Sequence, residues 1–297
     1  MPRKIKLSLY DRVYVGICYV FMVLALIIVL YPLIYVLSAS VSSPVYVANG
    51  RVYLFPRGFT MMAYREVFKD TRILTGYRNS LIYTVLGVFV SITLTMIGAY
   101  VLSRKTLPGR NIIMGLFVFT MYFSGGLIPT YLLIKRLGMT NTLWVMIIPF
   151  AISTYNMIIA RTFIQNTIPD SLTEAATIDG CSNVGILTRI VLPLSKAIIA
   201  VLVIYYGVAQ WNGYFTALIY LSGTNKQPLQ IILRDILIKN DLTQMVGSSD
   251  STSSEYVMLI EVLKYAVAVV ASVPMLILYP FVQKYFLKGV MIGAIKG

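Results

Sequence analysis

The sequence of 297 residues predicts an all-α, polytopic membrane protein with six transmembrane helices, on three observations. Hydrophobic residues make up 58% of the chain. Charged residues make up only 12%, about half the share found in an ordinary soluble domain. A spanning helix needs about 20 mostly apolar residues, because ionisable groups are costly in hydrocarbon. Six long stretches meet that need by carrying no charge: 13–50, 79–103, 111–134, 137–160, 197–225 and 265–283. Other uncharged runs, such as 162–169 and 242–249, are far too short to cross.

In chain order, residues 1–12 form a basic N-terminal tail, and 13–38 are the first transmembrane helix. The start resembles a signal peptide, but a cleavable apolar core is only about 7 to 15 residues long, so this helix is expected to be retained. Pro32 is expected to interrupt it near its outer end. Residues 39–78 make an extracellular loop with structure of its own, carrying Arg51, Arg57, Arg65, Lys69 and Arg72 as a surface that could meet an incoming protein or simply be solvated. Residues 79–283 hold the remaining five helices. Within them, 228–241 has helical apolar spacing, and Glu261 and Lys264, on one helical face at the start of the sixth span, are placed either to line a water-filled cavity or to form an ordinary i,i+3 ion pair. Residues 284–297 form the C-terminal tail. Six spans put both termini on one side. Basic residues divide thirteen to eleven in favour of that side being cytoplasmic, and the compact acid-free segments 104–110 and 283–297 favour it too.

Several classes of chemistry are excluded. The chain has no histidine, so no histidine base or histidine-ligated metal is available. Its two cysteines, Cys18 and Cys181, cannot build a thiolate cluster. No GxxxxGK[ST] loop is present, so nucleotide hydrolysis by that route must lie on another chain. No metal, cofactor or catalytic residue is expected. The net charge of +14 in so apolar a chain points to membrane lipid rather than nucleic acid.

The connection 161–196, RTFIQNTIPDSLTEAATIDGCSNVGILTRIVLPLSK, is the segment with most to say about function. Pro169 suits a helix start, and Ser171 with Glu174 has the spacing of a capping box. A short helix over 172–179 follows, with Gly180 as its left-handed cap, Ser182 capping a second helix, and Pro193 at the entrance to the fifth span. Ala175 and Ala176 would let another surface approach closely. The plain alternative is a helix lying in lipid headgroups. Cys181 is expected to be a small packed residue.

Glu174-Ala175-Ala176, Asp179-Gly180 and, ten residues beyond Gly180, Ile190-Val191-Leu192-Pro193 resemble the EAA motif of ABC-importer permeases, EAAxxDG followed by IxLP. The ending YPFVQKYFLKGVMIGAIKG and the stretch LGMTNTLWVMIIPF extend the resemblance over essentially the whole chain, to the maltose-permease type and its oligosaccharide and polysaccharide-fragment branch. Ala197 departs from the second proline that many members carry there.

The resemblance implies a type I ABC-importer permease fold in a bacterial cell membrane, with 164–196 as a coupling loop. Glu174, Ala175, Ala176, Asp179, Gly180, Ile190, Leu192 and Pro193 would engage an ATPase. The tail residues Lys288, Gly289, Gly293, Lys296 and Gly297 would reach the ATPase pair as an extended strand, the alternative being a frayed basic tail at lipid headgroups. Implied partners are a second, homologous permease forming a heterodimer, two cytoplasmic ATPase subunits and an extracellular lipid-anchored binding protein that delivers an oligosaccharide.

Sugars are held by aromatic faces and side-chain hydrogen bonds, so Gln210, Trp211, Asn212, Tyr214, Asn156, Tyr122 and Ser124 are candidates for the substrate path. Helix packing and interfacial anchoring are the competing roles for each. An importer of another solute and an ion-coupled secondary transporter are the alternative functions. The latter predicts intramembrane carboxylates, which the six uncharged stretches lack.

Overall fold

The computed structural model describes residues 8–245 and 252–294, and among these every regular element is helical. The α-helices are α1 (Leu9–Ser40), α2 (Pro44–Ala48), α3 (Met62–Lys69), α4 (Arg72–Ser103), α5 (Arg110–Tyr122), α6 (Leu127–Arg136), α7 (Thr154–Thr167), α8 (Asp170–Ile178), α9 (Asn183–Ile186), α10 (Leu192–Leu194), α11 (Lys196–Trp211), α12 (Tyr214–Tyr220), α13 (Leu229–Met245) and α14 (Thr252–Ala294). The described residues divide into one unit lying within 1–70 and 235–272 and another within 71–234 and 273–297.

In the first unit, α1 opens with the Ser8 amide donating to Asp11 Oδ2 at 3.1 Å. Its apolar side chains from Val13 to Leu33 are exposed along most of their length, as a lipid-facing helix requires. Pro32 does not interrupt it: the helix runs on to Ser40. Proline removes one backbone bond, but opening the helix in hydrocarbon would leave several polar groups unpaired, and the continuous helix is the lesser cost.

The serine-rich end of α1 then organises the loop that follows. Ser38 Oγ donates to the Leu54 carbonyl, Ser42 Oγ donates to the Ser38 carbonyl and accepts from the Arg57 amide, and Tyr64 donates to Ser40 Oγ. The expected Glu261–Lys264 pair forms at 3.6 Å. One turn on, Tyr265 packs edge-to-face on Tyr35.

The second unit is built on α4. Its buried face carries Gly76, Ser80, Thr84, Gly87, Ser91, Thr95 and Ala99, a stripe of small residues that lets other helices approach closely. Helices α7 and α11 pack on it. A Cβ on Gly98 would lie 2.5 Å from Met157 Cε, and the Tyr206 hydroxyl bonds both Thr95 at 2.7 Å and the Ser153 amide at 3.2 Å. Towards one end the core is Met96, Ala99, Tyr100, Met157, Ile164, Ile186, Val191 and Leu202. Towards the other, Tyr83, Ile134, Val145, Met146, Tyr220 and Ile231 form a second cluster.

Fewer helices are long enough to span than the six uncharged stretches suggest. Among the described residues, α1, α4 and residues 258–280 of α14 qualify alone. Two bent pairs raise the number to five: α5 with α6, bent by 113°, and the 183–194 segment with α11, bent by 82°. The stretch 111–134 breaks at Gly125-Gly126, where Gly126 has φ +84°. The stretch 137–160 contains a 3₁₀ turn (Leu143–Met146) and the first half of α7 instead of one long helix. Irregular backbone survives at such depth only when protein covers it, and here Val145, Met146, Ile147 and Ala151 are buried. The C-terminal segment also differs from expectation. Helix α14 continues to Ala294, so Lys288, Gly289 and Gly293 belong to a helix and not to an extended strand. Lys296 and Gly297 lie outside the described residues.

Candidate functional site

The 161–196 connection folds as the sequence suggests in outline, with one change of register. Helix α8 begins at Asp170 with Pro169 as its cap residue, so Ser171 lies within the first turn and caps nothing. Thr173 Oγ1 donates to the Asp170 carbonyl at 2.8 Å. The capping box is absent, and its absence matters for Glu174: the carboxylate is exposed and has no partner among the described residues.

At the far end of α8 the prediction holds. Gly180 sits at φ +76°, its amide donates to the Thr177 carbonyl at 3.0 Å, and the Cys181 amide donates to the Ala176 carbonyl at 2.9 Å. This pair of bonds is the Schellman cap, which needs a residue comfortable in the left-handed region. Ser182 Oγ then accepts from the Gly185 amide at 3.2 Å, capping α9. Cys181 is packed: a Cβ on Gly185 would fall 2.7 Å from its sulfur.

Beyond α9 the chain widens into a π-helical turn (Leu187–Val191) in which the Leu192 amide reaches back to the Leu187 carbonyl. Pro193, which has no amide to donate, follows at once, and the chain then turns into α11. Val191 is buried in the core, whereas Pro193 is exposed.

Helix α8 therefore has two faces. Thr173 is buried and Ala176 half-buried against the body of the unit. Ser171, Glu174, Ala175 and Ile178 point outward, with Ile178 86% exposed, and Val184 on α9 adds another apolar side chain at 70%. An apolar residue that remains exposed beside an unpaired carboxylate suits contact with protein better than contact with water.

The residues that hold this element in place are ones the motif does not contain. Lys105, in the loop after α4, donates to Asp170 Oδ2 at 2.7 Å. The hydrogen bond and the charge of Lys105, with a lesser contribution from Arg104, lower the pKa of Asp170 below its ordinary value, against a small opposing effect of desolvation. Arg161 Nε donates to the Leu102 carbonyl at 2.9 Å and Gln165 Nε2 to that of Ser103 at 3.3 Å, so α7 satisfies two orphan carbonyls at the C-terminus of α4. The acid-free sequence RKTLPGR was the available sign that residues 104–110 had a task besides topology.

The seven substrate-path candidates do not gather into one chamber. Trp211 is 3% exposed, with its ring 6.3 Å from that of Tyr77, and Gln210 lies over Gly87, where an added Cβ would come within 2.6 Å of Nε2. Asn212 donates to the Val208 carbonyl of its own helix, and Tyr214 packs edge-on against Phe215. Asn156 is buried in the first turn of α7. Tyr122 and Ser124 are exposed at the α5–α6 bend. Two cavities of this unit are lined by none of the seven. One of these is an apolar groove of about 780 Å³ between α4 and α11, the other a polar cavity of about 530 Å³ beside α8.

Comparison with known proteins places this architecture. Residues 73–292 match the family described as binding-protein-dependent transport system inner membrane component. The chain is 42% identical over 292 residues to the polygalacturonan/rhamnogalacturonan transport system permease protein YtcP of Bacillus subtilis, covering 97% of this chain and 99% of that one. It is 41% identical over 270 residues to the Bacillus subtilis protein LplC, covering 91% and 90%. A solved bacterial ABC transporter involved in the import of the acidic polysaccharide alginate contains a chain that superposes with a TM-score of 0.82, at 33% identity, over 95% of this chain and all of that one.

Proposed function

The chain belongs to the binding-protein-dependent transport system inner membrane components, and from that premise we propose that it forms half of the translocation path of an ATP-driven importer of oligosaccharides released from a polysaccharide. It is a multi-pass permease subunit and not an enzyme. Membership implies a partner permease, an ATPase on separate chains and a solute-binding protein. Our finer reading makes the permease pair a heterodimer, anchors the binding protein by lipid, and puts both termini and α8 on the cytoplasmic side. The substrate class rests on the names of two relatives, one serving polygalacturonan or rhamnogalacturonan and one alginate.

The observation that carries the coupling role is the outward face of α8, with Glu174 unpaired, Ala175 small and Ile178 exposed on an element fixed from behind. Docked in an ATPase cleft, Glu174 would meet a cation, since a carboxylate and guanidinium make strong charge-assisted bonds. Burying Ile178 would contribute about 1.5 to 3 kcal/mol. Asp179, Gly180 and the Ile190, Leu192, Pro193 segment set the bend behind the contact. ATP-driven closure of the ATPase pair would then move α8 and switch the bundle between inward-open and outward-open forms by rigid-body rearrangement. Lys288, Gly289 and Gly293 would touch the ATPase pair through a helix end.

Glu174→Lys tests this. The full complex carrying it should lose the ATPase subunits on purification and lose substrate-stimulated ATP hydrolysis, while the permease still inserts in the membrane. Normal stoichiometry and stimulation would remove Glu174 from the interface.

A further inference from the structure

We infer that the polar cavity between the 104–110 loop and the start of α8 binds a phosphate oxyanion, supplied by the headgroup of an anionic phospholipid. The cavity is about 530 Å³, within the range of small-ligand sites, and its wall includes Tyr100, Arg104, Lys105, Arg110 and Asp170. Two of these residues are left incomplete by the protein itself. Tyr100 is 5% exposed and its hydroxyl has no hydrogen-bond partner, and Arg110 Nη1 is likewise buried without a partner. Buried donors are almost always satisfied, so two orphans in one wall point to an acceptor that belongs there.

The charges define that acceptor. Lys105 is matched by Asp170 at 2.7 Å, whereas neither Arg104 nor Arg110 forms an ion pair with a carboxylate among the described residues. The Arg104 guanidinium instead lies 5.6 Å from the Tyr100 ring centroid. Two unmatched guanidinium groups and a phenol hydroxyl form a donor set suited to a tetrahedral anion, which arginine can bind in bidentate fashion.

The surroundings favour lipid as its source. The 104–110 loop joins α4 to α5 with only six residues between the helices, and α4 is long and apolar enough to cross a membrane, so the cavity lies at the end of a candidate span, where headgroups would be met. The helix that Arg110 opens then presents Ile112, Leu116 and Phe119 exposed in successive turns. An amphiphile with its phosphate at Arg110 would lay its acyl chains along that face. Basic pockets between transmembrane helices are a general means of holding anionic headgroups.

The test uses the full chain assembled with its partner subunits and counts retained lipid by native mass spectrometry. Samples are incubated with phosphatidylglycerol or phosphatidylcholine, with and without excess inorganic phosphate. The wild type should retain phosphatidylglycerol and not phosphatidylcholine. Arg110→Gln should lower that retention roughly tenfold, and Tyr100→Phe by less, the latter variant removing one oxygen and leaving the fold undisturbed. Equal retention by wild type and both variants would overturn the site. Complete displacement by inorganic phosphate would overturn the lipid assignment in favour of a free anion. Retention by the isolated chain but not by the complex would give the cavity to an acidic side chain of a partner and overturn the proposal.

Discussion

Substitutions at Gly180 separate backbone geometry from every other property of the 161–196 connection. A Cβ built there meets nothing within 4 Å, so alanine introduces no steric conflict and its whole effect comes from φ +76°. The left-handed region costs a non-glycine residue about 1 to 2 kcal/mol. Two hydrogen bonds, Gly180 to Thr177 and Cys181 to Ala176, hold the turn, each worth about 0.5 to 1.5 kcal/mol net. Strain and support are therefore of similar size, and Gly180→Ala should shift the turn towards open forms by about five- to thirtyfold. Asparagine tolerates this region, so Gly180→Asn should do less. Proline fixes φ near −65° and removes the amide that reaches Thr177, so Gly180→Pro should abolish the turn. The assay is substrate-stimulated ATP hydrolysis by the reconstituted complex, with the yield of assembled complex as a separate measure. Stimulation should fall in the order glycine, asparagine, alanine, proline, while insertion of the permease stays constant. Undiminished coupling in Gly180→Pro, or equal coupling in the alanine and asparagine variants at a level below wild type, would refute the reasoning, because only φ distinguishes them.

Two other glycines should behave oppositely to each other. A Cβ on Gly76 would lie 3.0 Å from Leu229 Cα and 3.2 Å from its amide nitrogen, and backbone cannot swing aside, so Gly76→Ala should cost about 1 to 3 kcal/mol, read as a lower thermal midpoint in detergent. At Gly87 the obstruction is the mobile amide of Gln210, so Gly87→Ala should leave the midpoint nearly unchanged and alter the uptake rate if Gln210 borders the substrate path. The Lys105–Asp170 pair gives a third expectation. Because the folded-state pKa of Asp170 is lowered, the contribution of the pair is fully present above the ordinary carboxylate value and is lost only as pH falls through the lowered one. Amide-exchange protection across α8 should accordingly show no effect of this pair between pH 5 and 8. The side chains are 74% and 60% exposed, so high salt should reduce that protection a few-fold at most, and Asp170→Asn should reproduce the effect of salt.

What the sequence made legible followed the physics that acts locally. Charge-free length located the apolar stretches, and cap chemistry located Gly180 and Ser182, because both depend on residues adjacent in the chain. Hydropathy could not see where an apolar stretch would break. Gly125-Gly126 and Pro149 lie inside charge-free runs, and around Pro149 only the buried packing of Val145, Met146 and Ile147 shows that protein shields the irregular backbone. The register of α8 moved by two residues because Pro169, with Asp170 following and Lys105 opposite, supplies a better start than Ser171. No local pattern contains Lys105, which lies 65 residues from its partner. The substrate-path candidates share residue type and a place within the uncharged stretches, and their dispersal across α7, α11, the start of α12 and the α5–α6 bend reflects how little those two properties say about tertiary neighbours.

The way α8 is attached bears on what it can transmit. Lys105 holds its first residue, and α7, which ends two residues before α8, is tied through Arg161 and Gln165 to the last carbonyls of α4. Beneath these polar ties lies an apolar seat of Ile164, Ile168, Ile186 and Val191. A load applied at Glu174 or Ile178 is therefore carried into α4, whose stripe of small residues keeps α7 and α11 in close contact along its length. Between residues 187 and 196 the connection is less regular: a π turn, a proline without an amide and an 82° change of direction follow within ten residues. On the proposed coupling role, a displaced α8 would pull on α4 through α7, and a change of angle between α8 and α11 would fall in the irregular 187–196 segment.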